Sequence, residues 1–304
     1  HYAAGWHNTA TLGTFGSTVA VGRLIGLDLD AACHAVGIAG ALASGLRASF
    51  GTMSKPLQVG RAAVNGLLAA RLARRGVDGC VDLLERAGGF GELFGKRRST
   101  AAAFADPEGF QIRGIVFKHH ASCFGTHAPI EAALRLGERV SAIEEIDAIE
   151  VTVEPQYLSV CNFTEPRNET EARFSIAHSV ALALGKQSTT RAESFSAAGI
   201  NRPETVRLRR RIVVRGSPDM PRANGSVEVR LKQGAVLTAH ADAKAQDRGS
   251  GANIRLESKF RSITAQLLEP AAQEEIVAIC RNLENLDDIA QLMSLCASPP
   301  GRGG

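Results

Sequence analysis

The chain has 304 residues, of which 44% are hydrophobic, enough apolar mass for a substantial core and for two domains. A net charge of +4, with Lys and Arg spread along the chain and only 5% aromatic residues, argues against a nucleic-acid-binding surface and is compatible with an anionic substrate. No apolar run reaches the ~20 residues of a membrane span, no signal peptide is visible, and six cysteines lie far apart without a CxxC pair, which suits reduced thiols in a cytoplasmic protein.

The elements come in the order helical, mixed, helical. From Thr11 to Gly76 the pattern is helical and rich in small residues that permit close helix packing. Asp28 and Asp30 can cap a helix running to about Leu46. Val64, Leu67, Leu68 and Leu72 recur at helical spacing up to Arg74-Arg75-Gly76, where cations followed by glycine suit a helix end. The character changes after about Gly109. Ile149, Val151 and Val153 alternate with polar residues, as do Val227, Val229 and Leu231, and a turn at Gln233-Gly234 makes the second run a hairpin with 235–241. Helical stretches are expected at Pro129–Gly137 and Arg173–Gly185, and Arg207–Arg211 is expected on a solvated strand face. From Leu256 the chain turns helical again, and the tail 299–304 is expected to be disordered.

The fold class is therefore mainly α with an α+β insert. Residues 1–113 form the first part of a helical domain, 114–245 a smaller α+β lid, and 246–304 a helical return to the first domain.

Two segments concentrate chemistry. Gly51-Thr52-Met53-Ser54-Lys55-Pro56 reads as a Gly-flanked loop between apolar helices, with Lys55 its only charge. Lysine is rarely placed among apolar elements without a role, although a solvated loop lysine is the competing reading. Lys118-His119-His120-Ala121-Ser122-Cys123-Phe124-Gly125-Thr126-His127 is the other dense cluster. Its Cys/His spacing fits no common zinc pattern, so no metal is expected. A Cys–His nucleophile pair is possible, but no oxyanion-loop signature accompanies it. The simpler reading is a hydrogen-bonding wall for an anion, with charge from Lys118 and donors from Thr126 and His127 at a helix start.

His7, between Trp6 and Asn8-Thr9 and just before a helix, is a candidate general base or a helix-capping or Trp6-packed histidine. Arg173 can clamp a carboxylate or pair with a neighbouring acid. No GxGxxG, Walker loop or cysteine triplet occurs, so cofactor-free proton abstraction next to a carboxylate is the chemistry these residues suit.

The series Gly5-Trp6-His7, Thr11–Gly16, Ala43-Ser44-Gly45-Leu46, Phe50–Leu57, Gly60–Ala63, Lys118, Cys123, Thr126-His127 and Glu171–Ser175 closely resembles the MmgE/PrpD family over nearly the whole chain. The resemblance implies an all-helical domain plus a smaller α+β lid, a homodimer, no metal and no cofactor. It implies that His7, Lys55 and Lys118 line a cleft between the domains, as catalytic groups, with Cys123, His127 and Arg173 binding a small di- or tricarboxylate. The implied activity is a lyase of the 2-methylcitrate dehydratase type. Alternatives are an iminodisuccinate-type epimerase, a decarboxylase, or an inactive homologue serving as a binding or dimerisation module. A histidine replaces Cys123 in the decarboxylase branch. Four positions depart from the family pattern: Gln58 stands where a histidine often follows Lys-Pro-Leu, His120-Ala121 replaces Tyr-Pro or Phe-Pro, and Trp6 replaces Phe. Family members also carry an N-terminal helical region with an active-site Asp and His, which no part of this sequence matches. The chain, opening at His1, is expected to lack that portion.

Overall fold

The computed structural model describes residues 1–95, 111–247 and 251–297. The chain divides into two compact units, 1–113 and 114–304.

The first unit is helical: α1 (Asn8–Leu24), α2 (Leu29–Leu42), α3 (Ser54–Ala73) and α4 (Phe90–Gly95). Asp28 caps α2 as expected, its carboxylate accepting from Ala31 N at 2.8 Å. This helix stops at Leu42, four residues before the expected end, and an extended segment follows. Close packing of α1 on α3 depends on small residues. A Cβ at Gly66 would lie 1.9 Å from Ser17 Oγ and 2.6 Å from the Thr18 backbone nitrogen, so only glycine fits that crossing. Ser17 Oγ uses the proximity to donate to Ala62 O at 2.8 Å.

In the second unit come α5 (His127–Gly137), β1 (Ile146–Val153), α6 (Gln156–Val160), α7 (Glu169–Arg173), α8 (Ile176–Leu184), α9 (Ala197–Ile200), α10 (Pro203–Arg209), β2 (Ile212–Gly216), β3 (Asn224–Leu231) and β4 (Val236–Asp242). The sheet order is β2-β1-β3-β4. β1 pairs parallel with β2 and antiparallel with β3, and β3–β4 is the expected hairpin. The alternation seen in sequence is real: Ile149, Val151 and Val153 face the core, as do Val227, Val229 and Leu231. Helices α5 and α8 supply Ile130, Leu136, Ile176, Val180 and Leu184 to the same core.

Two expectations change here. The stretch 173–185 is two helices broken at Phe174-Ser175, because Ser175 Oγ caps α8 by accepting from His178 N at 3.0 Å. The run 207–211 is not a solvated strand. It ends α10, and buried Arg209 donates to Ile200 O at 3.0 Å and pairs with Glu165 at 2.9 Å. A charge run by itself does not say which arginine finds internal acceptors.

Helices α11 (Gly251–Thr264), α12 (Pro270–Arg281) and α13 (Ala290–Cys296) follow. By contact they group with the second unit, whereas the sequence suggests a return to the first. Helical periodicity shows that a face is buried, not against what. On α11, Lys259 donates its ammonium to the Lys118 carbonyl. The tail 299–304 lies outside the described residues. No helix among the described residues is long and apolar enough to cross a membrane.

Candidate functional site

The first unit gathers His7, Phe50, Lys55 and Gln58 into one cluster. Lys55 is not in a loop. It is the second residue of α3, and Thr52 shapes the entry, with its Oγ1 accepting from Ser54 N at 3.2 Å. The Lys55 ammonium lies 4.3 Å from the centre of the Phe50 ring, a cation–π distance. The same ring meets His7 edge-on at 5.0 Å between centroids.

His7 ends the extended segment before α1 and is 4% exposed. Neither alternative for it holds. Its side chain makes no cap hydrogen bond, and Trp6 packs on Phe94 at 4.3 Å. Instead Nδ1 donates to Gln58 Oε1 at 2.9 Å. Burial lowers the His7 pKa, the Gln58 hydrogen bond raises it in part, and the Lys55 charge lowers it again, leaving it below the ordinary 6.5. At neutral pH His7 is therefore an uncharged imidazole beside a cation.

A cavity of about 380 Å³ has Gln58 in its lining. Ser44, Ser54, Arg61 and Asn65 give it hydroxyl, guanidinium and amide groups. That lining suits a small anion.

The second unit holds the other cluster in a different state. Lys118 is exposed, and Cys123 is half-buried against the core. Thr126 is buried, its hydroxyl donating to Cys123 O at 2.8 Å and meeting Ser122 Oγ at 2.7 Å. His127 has no exposed surface, and neither ring nitrogen has a hydrogen-bond partner. Burial, with the charges of His120, Lys118, Lys259 and His119, lowers its pKa to about 2. The expected anion wall is thus neutral at His127, which can exchange a hydrogen bond but supplies no charge. His120 packs edge-on against it at 4.9 Å. The His120 ring is held at both ends, by Thr189 Oγ1 on Nδ1 at 2.8 Å and Glu131 Oε1 on Nε2 at 2.9 Å. Burial pushes the Glu131 carboxyl up, but the His120 hydrogen bond and charge, with Arg135 and Arg255, bring it below its ordinary value. Arg173 lies 3.9 Å from Glu169 one turn earlier on α7, the ion-pair alternative, with its guanidinium 5.8 Å from the Phe195 ring centre. Among the described residues no group of three or more His, Cys, Asp or Glu is placed to hold a metal ion.

Against known families, residues 1–102 match the MmgE/PrpD N-terminal domain and residues 120–285 the MmgE/PrpD C-terminal domain. The chain belongs to the MmgE/PrpD family. Similar proteins include a human cis-aconitate decarboxylase, 28% identical over 97% of this chain and 63% of its own length. The cis-aconitate decarboxylase of Aspergillus terreus is 28% identical over 97% of this chain and 65% of its own length. A cis-aconitate decarboxylase-like protein of Aspergillus oryzae is 35% identical over 43% of this chain and 29% of its own length. This MmgE/PrpD chain thus spans less than two thirds of the length of the relatives it matches.

Sequence reasoning missed Gln58, Phe50 and the Thr189–His120–Glu131 chain as members of these clusters. A signal existed for two of them. Lys55 and Gln58 are three apart, and His127 and Glu131 four apart, so each pair shares a helix face once the helix start is placed correctly. Nothing local marks Phe50 or Thr189.

Proposed function

We propose that this protein is a cofactor-independent lyase of the 2-methylcitrate dehydratase type, acting on a small di- or tricarboxylate by proton abstraction next to a carboxylate. The observation that carries the proposal is the pairing of a neutral, mostly enclosed imidazole, His7, with the Lys55 cation across the Phe50 ring. In this reading His7 takes the proton. Lys55 stabilises the enediolate charge that develops, an effect largest where water is scarce, and Lys118 is the second cation this reading assigns to that role. The Arg61 cavity offers a carboxylate site in the first unit, and this reading assigns carboxylate contacts to Cys123 and Arg173 in the second, where His127, with no exposed surface, is out of a substrate's reach. The same reading makes the protein a homodimer, which light scattering tests.

Decarboxylation is the second reading, favoured by the names of the similar proteins. Cys123 weighs against it, because the decarboxylase branch resembled in sequence has histidine there. Incubation with 2-methylcitrate, citrate, cis-aconitate and iminodisuccinate separates the outcomes. A dehydratase yields an ultraviolet-absorbing alkene acid from the first two, a decarboxylase releases CO₂ from cis-aconitate, and an epimerase changes optical rotation alone. No turnover of any of the four acids would sink the lyase reading.

A further inference from the structure

An imidazole that acts as a base must keep its proton on the other nitrogen, and which nitrogen that is depends on its hydrogen-bond partner. For His7 the partner is an amide, whose two ends look alike in shape but differ in chemistry. The network decides the orientation. Gln58 Nε2 lies 3.3 Å from the Leu46 carbonyl oxygen. A carbonyl only accepts, so the NH₂ end faces Leu46 and the oxygen end faces His7 at 2.9 Å. That oxygen also only accepts, so the hydrogen between them sits on His7 Nδ1. Nε2 then carries the lone pair, and it makes no hydrogen bond among the described residues.

Backbone hydrogen bonds frame this contact. His7 N donates to Gly45 O at 3.0 Å and Arg47 N to Gly5 O at 2.8 Å, pairing Trp6 with Leu46 as an antiparallel bridge. Gly45 has φ +141°. A Cβ there would come 2.4 Å from Ala10 Cβ and 3.0 Å from Gln58 Oε1. Only glycine lets this strand approach the amide so closely. Gln58 also stands three residues after Lys55 on α3, so one helix turn sets both the cation and the orientation of the imidazole.

We propose that Gln58 is a positioning residue that holds His7 as the Nδ1–H tautomer and thereby makes Nε2 the proton acceptor; this rests on the reading of His7 as the base. The amide is suited to the task because it accepts without adding charge. A carboxylate at the same place would favour the imidazolium and blunt the base at neutral pH.

Long-range ¹H–¹⁵N spectra of histidine-labelled protein test this directly, with the His7 signals assigned by their loss in His7→Asn. Wild type is expected to show Nδ1 protonated and Nε2 bare above the titration. Gln58→Glu, nearly the same shape, should raise the His7 pKa and move the acid limb of kcat/KM up with it. Gln58→Leu should lower that pKa, since the amide's raising effect is lost, and mix the tautomers. On any substrate turned over, Gln58→Leu should lower kcat by roughly 10²-fold, the low end of a positioned base's contribution, with KM little changed. A wild-type spectrum with hydrogen on Nε2 overturns the proposal without need of a variant. So does an unchanged tautomer and pKa in folded Gln58→Leu. The spectra need no substrate. Absence of turnover on every acid therefore defeats the lyase reading alone, and a wrong tautomer defeats this one alone.

Discussion

The first unit buries alanine, and the second buries leucine, isoleucine and valine. Among the described residues of the first unit, Phe90 is the one buried apolar side chain larger than alanine. Leu24, Leu29 and Met53 there are 84%, 82% and 76% exposed. The largest fully buried side chains, Phe195, Ile130 and Leu136 among them, all belong to the second unit. The two chemical clusters follow the same division. His7 and Lys55 meet around the Phe50 ring in the alanine-rich unit, the imidazole enclosed and the ammonium half-exposed. The Lys118–His127 segment sends its last imidazole into a dense sheet-and-helix core, where the ring stays neutral. Both imidazoles are buried, and what separates them is the Gln58 partner on His7 Nδ1 against two unpartnered ring nitrogens on His127.

The sharpest test of that contrast is Lys55→Met, which keeps the apolar stem over Phe50 and removes the charge. If Lys55 stabilises charge in the transition state, kcat should fall by roughly 10²–10³, or about 2.7–4 kcal/mol. A rise in KM alone would reduce Lys55 to a ground-state contact, and unchanged kcat/KM would remove it from the site.

In the second unit the corresponding change should act on stability. Glu131→Leu strips the acceptor from His120 Nε2, itself buried. Leaving a buried donor unsatisfied should cost about 1–3 kcal/mol in urea unfolding. Glu131→Gln, which keeps an acceptor oxygen, should recover much of that loss. Equal stability of Glu131→Leu and wild type would show that the His120 chain is not held as described.

Acid should separate the units next. His127 and His178 have pKa values lowered to about 2 and about 4, in both cases chiefly by burial. Below the unfolded value of 6.5 the unfolded chain takes up protons that the folded second unit refuses. Stability is therefore full above pH 6.5 and falls as pH drops, toward pH 4 for His178 and toward pH 2 for His127. Each contributes about 1.4 kcal/mol per pH unit within its window. His127→Leu should flatten the slope by one proton and also remove two unpartnered buried nitrogens. Urea titrations between pH 7.5 and 4.5 measure it, and an unaltered slope in that variant would contradict the buried, neutral assignment.

The smallest effect is expected at Arg173→Ala. A half-exposed i,i+4 pair with Glu169 is worth about 0.3–0.5 kcal/mol. Stability should hardly move. A rise in KM without a change in kcat would make Arg173 a carboxylate contact, and a flat KM would leave it as a surface ion pair.

Much of this was legible in the amino-acid order. The apolar alternation at 149–153 and 227–231 announced strands because side chains on a pleated sheet must alternate between core and solvent. Asp28 announced a helix start because its carboxylate can satisfy an amide that the helix leaves open. The resemblance to the family rested on motifs that stay readable at 28% identity, and His7 and Lys55, 48 positions apart in number, both meet the Phe50 ring. Less was legible where one residue's partner lies on another element. Sequence marked Lys55 as a loop lysine, although it opens α3. It marked Gln58 only as a departure from a motif, although it orients His7. It gave Arg209 a solvated face, although internal acceptors wait for it. Pattern and composition fix which faces are apolar and which backbone ends need caps, since those needs are local. Depth of burial, the tautomer of an imidazole and the neutrality of His127 depend on what packs around each group from distant segments, and only the tertiary structure supplies that surrounding.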